Sequence, residues 1–559
     1  MLARLDYSWL SHDDGTLALA AQEVLRGKWP HLDFDTPYSG GLSLLNALLF
    51  RVGGEDLATM RYGLVVAALV GLAAAAWSLT RDISWPVAAF ATAVAAAWSI
   101  GVYPTPMPSW YQVFLALAAG AALLGFYRSD SRLMLGLAGF VTGVAILAKV
   151  TGLFTLGSLL LVIGATMRGA TGRWLLIWGP VLAGTALVGS AISWQRVFVL
   201  VLPLVLLGYV ASHRMKPEQL HVGWLHVSIF LGAALLPVAA FMVASAARGG
   251  LVPVLEGWFV TPRLRFEFAA SGSGGGLTGL GGIIAPVLVL VIWQVPRTGR
   301  WAGWSLCTVG LAAAFWNWAY ASLLFYLAVT LASLTVASVL LRYESVPTFK
   351  LVWPAVLTFS SLLTFPGSDL HYALYLVPPA AVALLAVSTG GDSSSSGVRH
   401  QMPAVVFAGL LMTFLGIGVA QGAVYRGVAV LQPPIRTTTL ELTRASFEVE
   451  EADALYNALI PRVVELAGGR SIYAGPDLPQ VYALSGLEPA APVFFDFLTA
   501  RFTYEELPHL LDLKNSEAIV INWSPEFSNP IPPSTLDTLQ RMYPMSEAFG
   551  DLELRWRED

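Results

Sequence analysis

The chain has 559 residues, of which 56% are hydrophobic and 12% charged, with a formal net charge of -4 at pH 7. Soluble domains carry about 25% charged residues, so the composition excludes a soluble globular protein, and so small a net charge says nothing about nucleic acid. The single cysteine, Cys307, excludes a disulfide framework within the chain, and there is no zinc-type Cys/His cluster.

The first 16 residues hold no apolar signal-peptide core. "SHDDGTLALAAQEVLRGKWP" reads as a helix capped by Ser11 or His12, with Asp13 and Asp14 in its first turn, where the helix dipole favours negative charge. Leu17, Ala20, Ala21, Val24 and Leu25 form one apolar face, suited to a helix lying along a membrane surface, and Gly27 ends it. Two readings of the acidic pair stand side by side. Either it stabilises a helix start, or one aspartate is a general base that takes a proton from an acceptor hydroxyl attacking a sugar carbon. In "HLDFDTPYSGG", Asp33, Asp35 and Tyr38 are candidates for contacting substrate. Loop aspartates also serve as turn formers.

From residue 57 the chain is predicted to cross a bilayer repeatedly, since runs of about 20 apolar residues span a hydrocarbon core as helices. The spans are 57–80, 83–102, 110–127, 133–148, 150–167, 174–192, 197–211, 226–246, 277–294, 302–320, 322–341, 350–365, 372–388 and 403–421. Basic residues concentrate in alternate loops: Arg81; Arg128 and Arg132; Arg168 and Arg173; Arg214 and Lys216; Arg297 and Arg300; Arg342 and Lys350; Arg399. The positive-inside rule puts that set in the cytoplasm, and residues 1–56 and the region beyond 421 outside. An outer segment of that length without a signal or a preceding helix leaves two expectations: an upstream helix is missing from this chain, which is the favoured one, or one of the spans is misplaced.

Within the membrane portion, Lys149 in "GVAILAKVTG" stands between two apolar runs at an outer helix end. An ionisable group there is either functional, with an anionic phosphate as partner, or a snorkelling lysine. In "EGWFVTPRLRFEFAASGSGGG", Arg263 and Arg265 lie in an outer loop, where arginine can clamp phosphate or merely sit at the interface. The Gly/Ser run that follows suits a mobile lid. Asp369, His371 and Tyr372 gather at the outer mouth of a later helix, as site residues or, for the tyrosine, as part of the aromatic belt. "GGDSSSSGVRH" reads as a cytoplasmic linker. After residue 430 a polar helical segment and the strand-like "RSIYAG", "APVFFDF" and "EAIVIN" predict a small outer α/β domain.

Four segments resemble the GT-C superfamily of membrane glycosyltransferases, nearest the protein O-mannosyltransferase and lipid A aminoarabinose-transferase group. "HDDGTLALAAQEVLRGKWPHLDFDTPY" is similar to that group's first outer loop, "GVAILAKVTG" to its lysine-bearing helix end, "PRLRFEF" to its donor-phosphate loop, and "HYALYLVPPAAVALL" to a late helix. The resemblance implies a catalytic acid at Asp13 or Asp14 and a donor phosphate on Arg265. It also implies a polyprenyl-phosphate sugar as partner and membrane lipid around the chain. Two departures stand out: the family's first helix is absent, and Pro106 occupies the place of a second-loop aspartate. That leaves no cofactor required, and a divalent metal open, on Asp13 or Asp14 with Asp33, Asp35 or His371.

The reading is a polytopic helical membrane enzyme with an acidic first loop (1–56), a membrane domain (57–421) and an outer α/β domain (430–559). It catalyses inverting sugar transfer on the outer face of the plasma membrane, with phosphate held by Arg265, Arg263 and Lys149. The rivals are a lipid-sugar flippase or transporter, a polysaccharide ligase or polymerase, and a membrane scaffold. Ionisable residues in outer loops rather than at mid-membrane argue against transport.

Overall fold

The computed structural model describes residues 11–97, 99–101, 103–190, 196–215, 222–263, 332–341, 345–365, 374–388, 453–492 and 502–558, with residues 5, 9, 343, 372 and 445. The expected spans 277–294, 302–320 and 403–421, most of 322–341, the Gly/Ser run and the cytoplasmic linker lie outside them.

The described part is mostly helical. After α1 (Ser11–Leu25) and α2 (Gly41–Gly53) come α3 (Leu57–Leu79), α4 (Trp85–Ala97), α5 (Pro108–Ser129), α6 (Arg132–Ala148), α7 (Leu153–Ala165) and α8 (Ala170–Gly189). A π-helical turn, Val197–Val201, leads into α9 (Leu202–His213). Then follow α10 (Trp224–Ala246), α11 (Val252–Phe259), α12 (Ala332–Leu340), α13 (Thr348–Ser360) and α14 (Val377–Ser388). Among the described helices α3, α5 and α10 are long and apolar enough to cross a membrane. Their starts are legible: the Asp56 carboxylate accepts from the Ala58 N–H at 2.8 Å, and Pro108 opens α5, where no backbone N–H is needed.

Helix α5 is the axis of the bundle, with Trp110, Phe114, Leu117, Leu123 and Phe126 fully buried. By contrast α3 exposes Val66, Leu69 and Trp77, and α10 exposes Leu235, Leu236 and Val243. Apolar side chains on the outside suit a lipid environment, not water. Helices α6 and α10 touch backbone to backbone: a Cβ on Gly139 or Gly143 would lie 2.2 Å from the Phe230 carbonyl oxygen or 2.1 Å from that of Ala234. This G-x-x-x-G spacing lets two membrane helices approach closely where apolar burial alone gives little drive for association.

The described loops fall at two ends of the bundle. One end carries Arg128, bonded to the Ser78 carbonyl and the Asp82 carboxylate, and short bridges pairing Met167 with Val222 and Met215 with Val346. The other end gathers α1, the 99–107 loop, Lys149 and α11.

Helix α1 runs close to its expected bounds, but it is not a one-faced surface helix. Residues 14–23 are all buried, including Gln22 and Glu23. The C-terminal domain supplies the second cover. Its helix α16 (Pro479–Ser485) lies across α1, where a Cβ on Gly15 would come within 2.6 Å of the Gln480 backbone. Gln22 Nε2 donates to the Ala483 carbonyl at 3.0 Å, and Glu23 binds Arg26 at 2.5 Å and Lys28 at 2.6 Å. Arg26 reaches on to the Gly486 carbonyl at 2.6 Å.

The C-terminal domain opens with α15 (Asp453–Ala467) and holds a four-stranded sheet in the order β1-β2-β4-β3, with α17 (Leu507–Leu513) and α18 (Pro533–Met542) beside it. Strands β1 (Tyr473–Gly475) and β2 (Ala518–Asn522), which pair in parallel, fall in "RSIYAG" and "EAIVIN". Strands β3 (Met545–Phe549) and β4 (Leu552–Trp556) form an antiparallel hairpin not foreseen in the sequence. Strand β3 is an exposed edge without a buried alternating face, so it lacks the signal that marks a strand. Most of "APVFFDF" lies outside the described residues.

Replacing Gly15 by valine drives a side chain into the α16 backbone. The expected result is a loss of about 1–3 kcal/mol, the usual scale for overpacking, read as a lower Tm in a detergent melt, with Gly15→Ala milder. An unchanged Tm for Gly15→Val would contradict the close contact.

Candidate active site

The start of α1 presents its two aspartates to different surroundings. Asp14 is fully buried, and its Oδ2 accepts from the Arg61 guanidinium at 3.3 Å and the Thr105 hydroxyl at 3.5 Å. Arg61, in the first turns of α3, is also fully buried and donates to the Leu5 carbonyl at 2.9 Å. The Asp13 side chain keeps 18% of its exposure. Its Oδ2 accepts from the Tyr103 hydroxyl at 3.4 Å, and its Oδ1 lies 3.8 Å from His12 Nε2. Successive helical residues point about 100° apart, so one aspartate faces the protein interior while its neighbour keeps part of its exposure.

An aromatic wall backs Asp13. Tyr103 packs beside Trp110 and Tyr375 at centroid distances of 6.4 and 6.3 Å, and the Trp110 and Tyr375 rings meet edge to face at 4.5 Å. Trp110 Nε1 donates to the Tyr103 carbonyl at 3.1 Å, which fixes the loop that carries the hydroxyl. Tyr372 lies 6.3 Å from Tyr375, and Asp13 and buried Tyr38 are within electrostatic reach of the same ring. The structure thus brings Asp13, Tyr38 and Tyr372 to one place.

Lys149 caps the C-terminus of α6 in extended conformation, and its Nζ donates to Ser109 Oγ at 2.8 Å. Gln112 and Thr151 exchange two hydrogen bonds beside it, at 2.8 and 2.5 Å, tying the α6–α7 junction to the first turns of α5. The ammonium of Lys149 therefore lies beside the first turn of α5, whose N-terminal dipole adds to the positive potential there. Arg263 is exposed just beyond α11, with its N–H bonded to the Val260 carbonyl. Arg265, Asp369 and His371 lie outside the described residues.

Asp33 closes a turn: its Oδ2 accepts from the Trp29 N–H at 2.6 Å, and His31 adopts a φ of 66° within that turn. Trp29 is held from above, stacked on Phe241 at 5.5 Å, under the Arg248 guanidinium at 4.2 Å and bonded to Ser245 Oγ at 2.8 Å. Trp258 Nε1 donates to the Ser39 carbonyl at 2.9 Å, so α11 clamps the same loop. The Asp35 N–H donates to the Pro492 carbonyl, joining the first loop to the C-terminal domain.

Among the described residues no group of three or more His, Cys, Asp or Glu could hold a metal ion. Asp14 pairs with Arg61 and Asp33 accepts a bond within its turn, while His371 lies outside the described residues. Three residues around the acidic pair escaped the sequence reading: Arg61, Tyr103 and Thr105. Arg61 carried a signal, since a charge inside an apolar run demands a partner. The others are distinguishable only once α1 is placed.

No protein-family model matches the chain, and no curated protein matches it either. Among solved structures the chain is similar to the oligosaccharyltransferase AglB of the archaeon Archaeoglobus fulgidus, solved with an inhibitory peptide and a dolichol-phosphate. That alignment has 12% identity and a TM-score of 0.42 and covers 91% of this chain and 65% of that one. The apo form of the Archaeoglobus oligosaccharyltransferase aligns at 11% identity and a TM-score of 0.41, over 91% and 66% of the two chains. The chain thus spans about two thirds of the archaeal protein's length. It is also similar to ArnT from Cupriavidus metallidurans, solved with undecaprenyl phosphate, at 15% identity and a TM-score of 0.38, over 99% of this chain and 94% of that one.

Removing one partner of a buried ion pair leaves an uncompensated charge and typically costs about 3–5 kcal/mol. Asp14→Asn and Arg61→Gln are each expected to destabilise strongly, while the double variant loses less than their sum. Thermal melts of the four proteins check this, and additive losses would show that the pair is not coupled.

Proposed function

We propose that the protein is an inverting glycosyltransferase that moves a sugar from a polyprenyl-phosphate donor to an acceptor hydroxyl at the outer face of the membrane. The observation that carries this reading is the separation of the two aspartates. Asp13 is partly open, bonded to Tyr103 and backed by aromatic side chains, while Asp14 is locked to Arg61. The donor class comes from the sequence resemblance, which also assigns phosphate binding to Arg265, with Arg263 and Lys149.

In the transfer, Asp13 accepts the proton of the acceptor hydroxyl as that oxygen bonds to the anomeric carbon. The carbon–oxygen bond to phosphate breaks on the opposite face, and its electron pair stays on the phosphate. Cationic and N–H donors around the phosphate stabilise that developing charge, so binding and catalysis share groups. Tyr103 orients the Asp13 carboxylate through its hydroxyl, and the buried rings of Trp110 and Tyr375 hold Tyr103 in place. Asp14 aims its neighbour by fixing the first turn of α1 to α3 and to the 99–107 loop.

Asp13→Asn is expected to lower kcat by about 100- to 10,000-fold, the usual contribution of a positioned general base, with little change in Tm. The assay is release or transfer of sugar from radiolabelled polyprenyl-phosphate sugars in membranes at matched expression. Full activity in Asp13→Asn moves the base to another residue. If wild type consumes no donor and the lipid sugar changes leaflet instead, a flippase replaces the transferase.

A further inference from the structure

Asp477, just past β1, sits at a left-handed φ of 60° and is 6% exposed. Its Oδ2 accepts from the N–H groups of Phe527 at 2.9 Å and Ser528 at 2.7 Å, and its Oδ1 accepts from the Ser528 hydroxyl at 2.6 Å. The start of the same segment is fixed as well. Asn522 Nδ2 donates to the Pro476 carbonyl at 3.0 Å, and the Ser524 N–H donates to Asn522 Oδ1 at 3.1 Å. Trp523 donates through its backbone N–H to the Asp551 carbonyl at 3.0 Å and through Nε1 to Glu553 Oε2 at 3.1 Å. Residues 523–528 form no helix or strand, yet they are held at both ends.

The clamp delivers one contact to the site. The Phe527 ring meets His12 edge to face, with centroids 4.9 Å apart, and His12 is the neighbour of Asp13. An apolar ring from the C-terminal domain thus lies over the residue next to the one carboxylate of the pair that retains exposure.

We propose that Phe527 excludes water from the transfer site and that Asp477 is the positioning residue that holds it there; the inference rests on the sugar-transfer reading. Water is the competing acceptor in such a reaction. Its oxygen would bond to the anomeric carbon and its proton would pass to Asp13. The carbon–oxygen bond to phosphate would break with its electron pair on the phosphate, giving free sugar and polyprenyl phosphate. A carboxylate poised to deprotonate a hydroxyl serves water equally well, so a transferase must keep water from the donor until an acceptor arrives. Phe527 against His12 occupies the approach on the side of the C-terminal domain.

A merely structural role predicts the opposite sign, because a loosened domain lowers every activity. The experiment uses the full chain in lipid nanodiscs, a panel of radiolabelled polyprenyl-phosphate hexoses and pentoses, and no added acceptor, with free sugar as the readout. Phe527→Ala and Asp477→Asn are expected to raise hydrolysis by about ten-fold over wild type, Phe527→Leu to stay near wild type, and Phe527→Ala combined with Asp13→Asn to release none. Hydrolysis in a folded Phe527→Ala protein at or below the wild-type rate overturns the proposal. Amide hydrogen exchange at Phe527 and Ser528 tests the clamp without donor. It should speed up by about ten-fold in Asp477→Asn, or measurably in the milder Ser528→Ala at Phe527, and unchanged exchange in both removes the positioning role. Donor consumed by wild type with no rise in Phe527→Ala defeats only this inference. Donor untouched by wild type and every variant defeats the transfer reading, and this one with it.

Discussion

The ion pair between Asp14 and Arg61 is the constraint on which the candidate site depends. Both side chains are fully buried, so each charge is tolerable only in the presence of the other. The pair joins the first turn of α1 to the start of α3, and Thr105 draws the 99–107 loop to the same carboxylate. With that turn anchored, the preceding residue is held in place too, and Asp13 is directed toward the Tyr103 hydroxyl. A group that must abstract a proton at a set place gains from such pre-organisation, since small displacements cost rate steeply.

The cover over α1 follows from the same placement. Helix α1 is buried on every side because the bundle takes one face and α16 takes another, with Gly15 allowing backbone contact. The Glu23, Arg26 and Lys28 cluster closes the far end of the helix, and Arg26 ties it to the Gly486 carbonyl. The C-terminal domain is thus joined to the candidate site at both ends of one helix. Phe527 meets it at the start and Gly486 at the finish.

Much of this architecture is legible in the sequence, and the reasons differ by element. The apolar runs mark the membrane helices because period and length alone suffice there, and α3, α5 and α10 fall close to their expected bounds. The acidic start of α1 is legible as a candidate site, but its two members cannot be told apart in the sequence. They differ only by a rotation of one residue and by a partner, Arg61, that lies 47 positions away along the chain. The expected surface helix proved buried because its polar face meets a second domain rather than water, and no local pattern reports that. Helix α2 went unforeseen, although it buries Leu42, Ala47 and Phe50 and exposes Leu45, Leu48 and Val52. A helix apolar on both faces does not show the amphipathic stripe of a water-soluble one. Phe527 and Asp477 carried no signal of their own, since an aromatic in a Ser/Pro loop and an aspartate after a strand are ordinary until the loop is seen to fold over His12.

The most direct measurement is the anomeric configuration of the sugar released or transferred by the purified wild-type chain from a polyprenyl-phosphate donor of known configuration, followed by NMR before mutarotation. A product of inverted configuration is expected, because the oxygen deprotonated by Asp13 attacks from the face opposite the phosphate. Retention of configuration would contradict it by requiring a covalent glycosyl intermediate or attack from the same face.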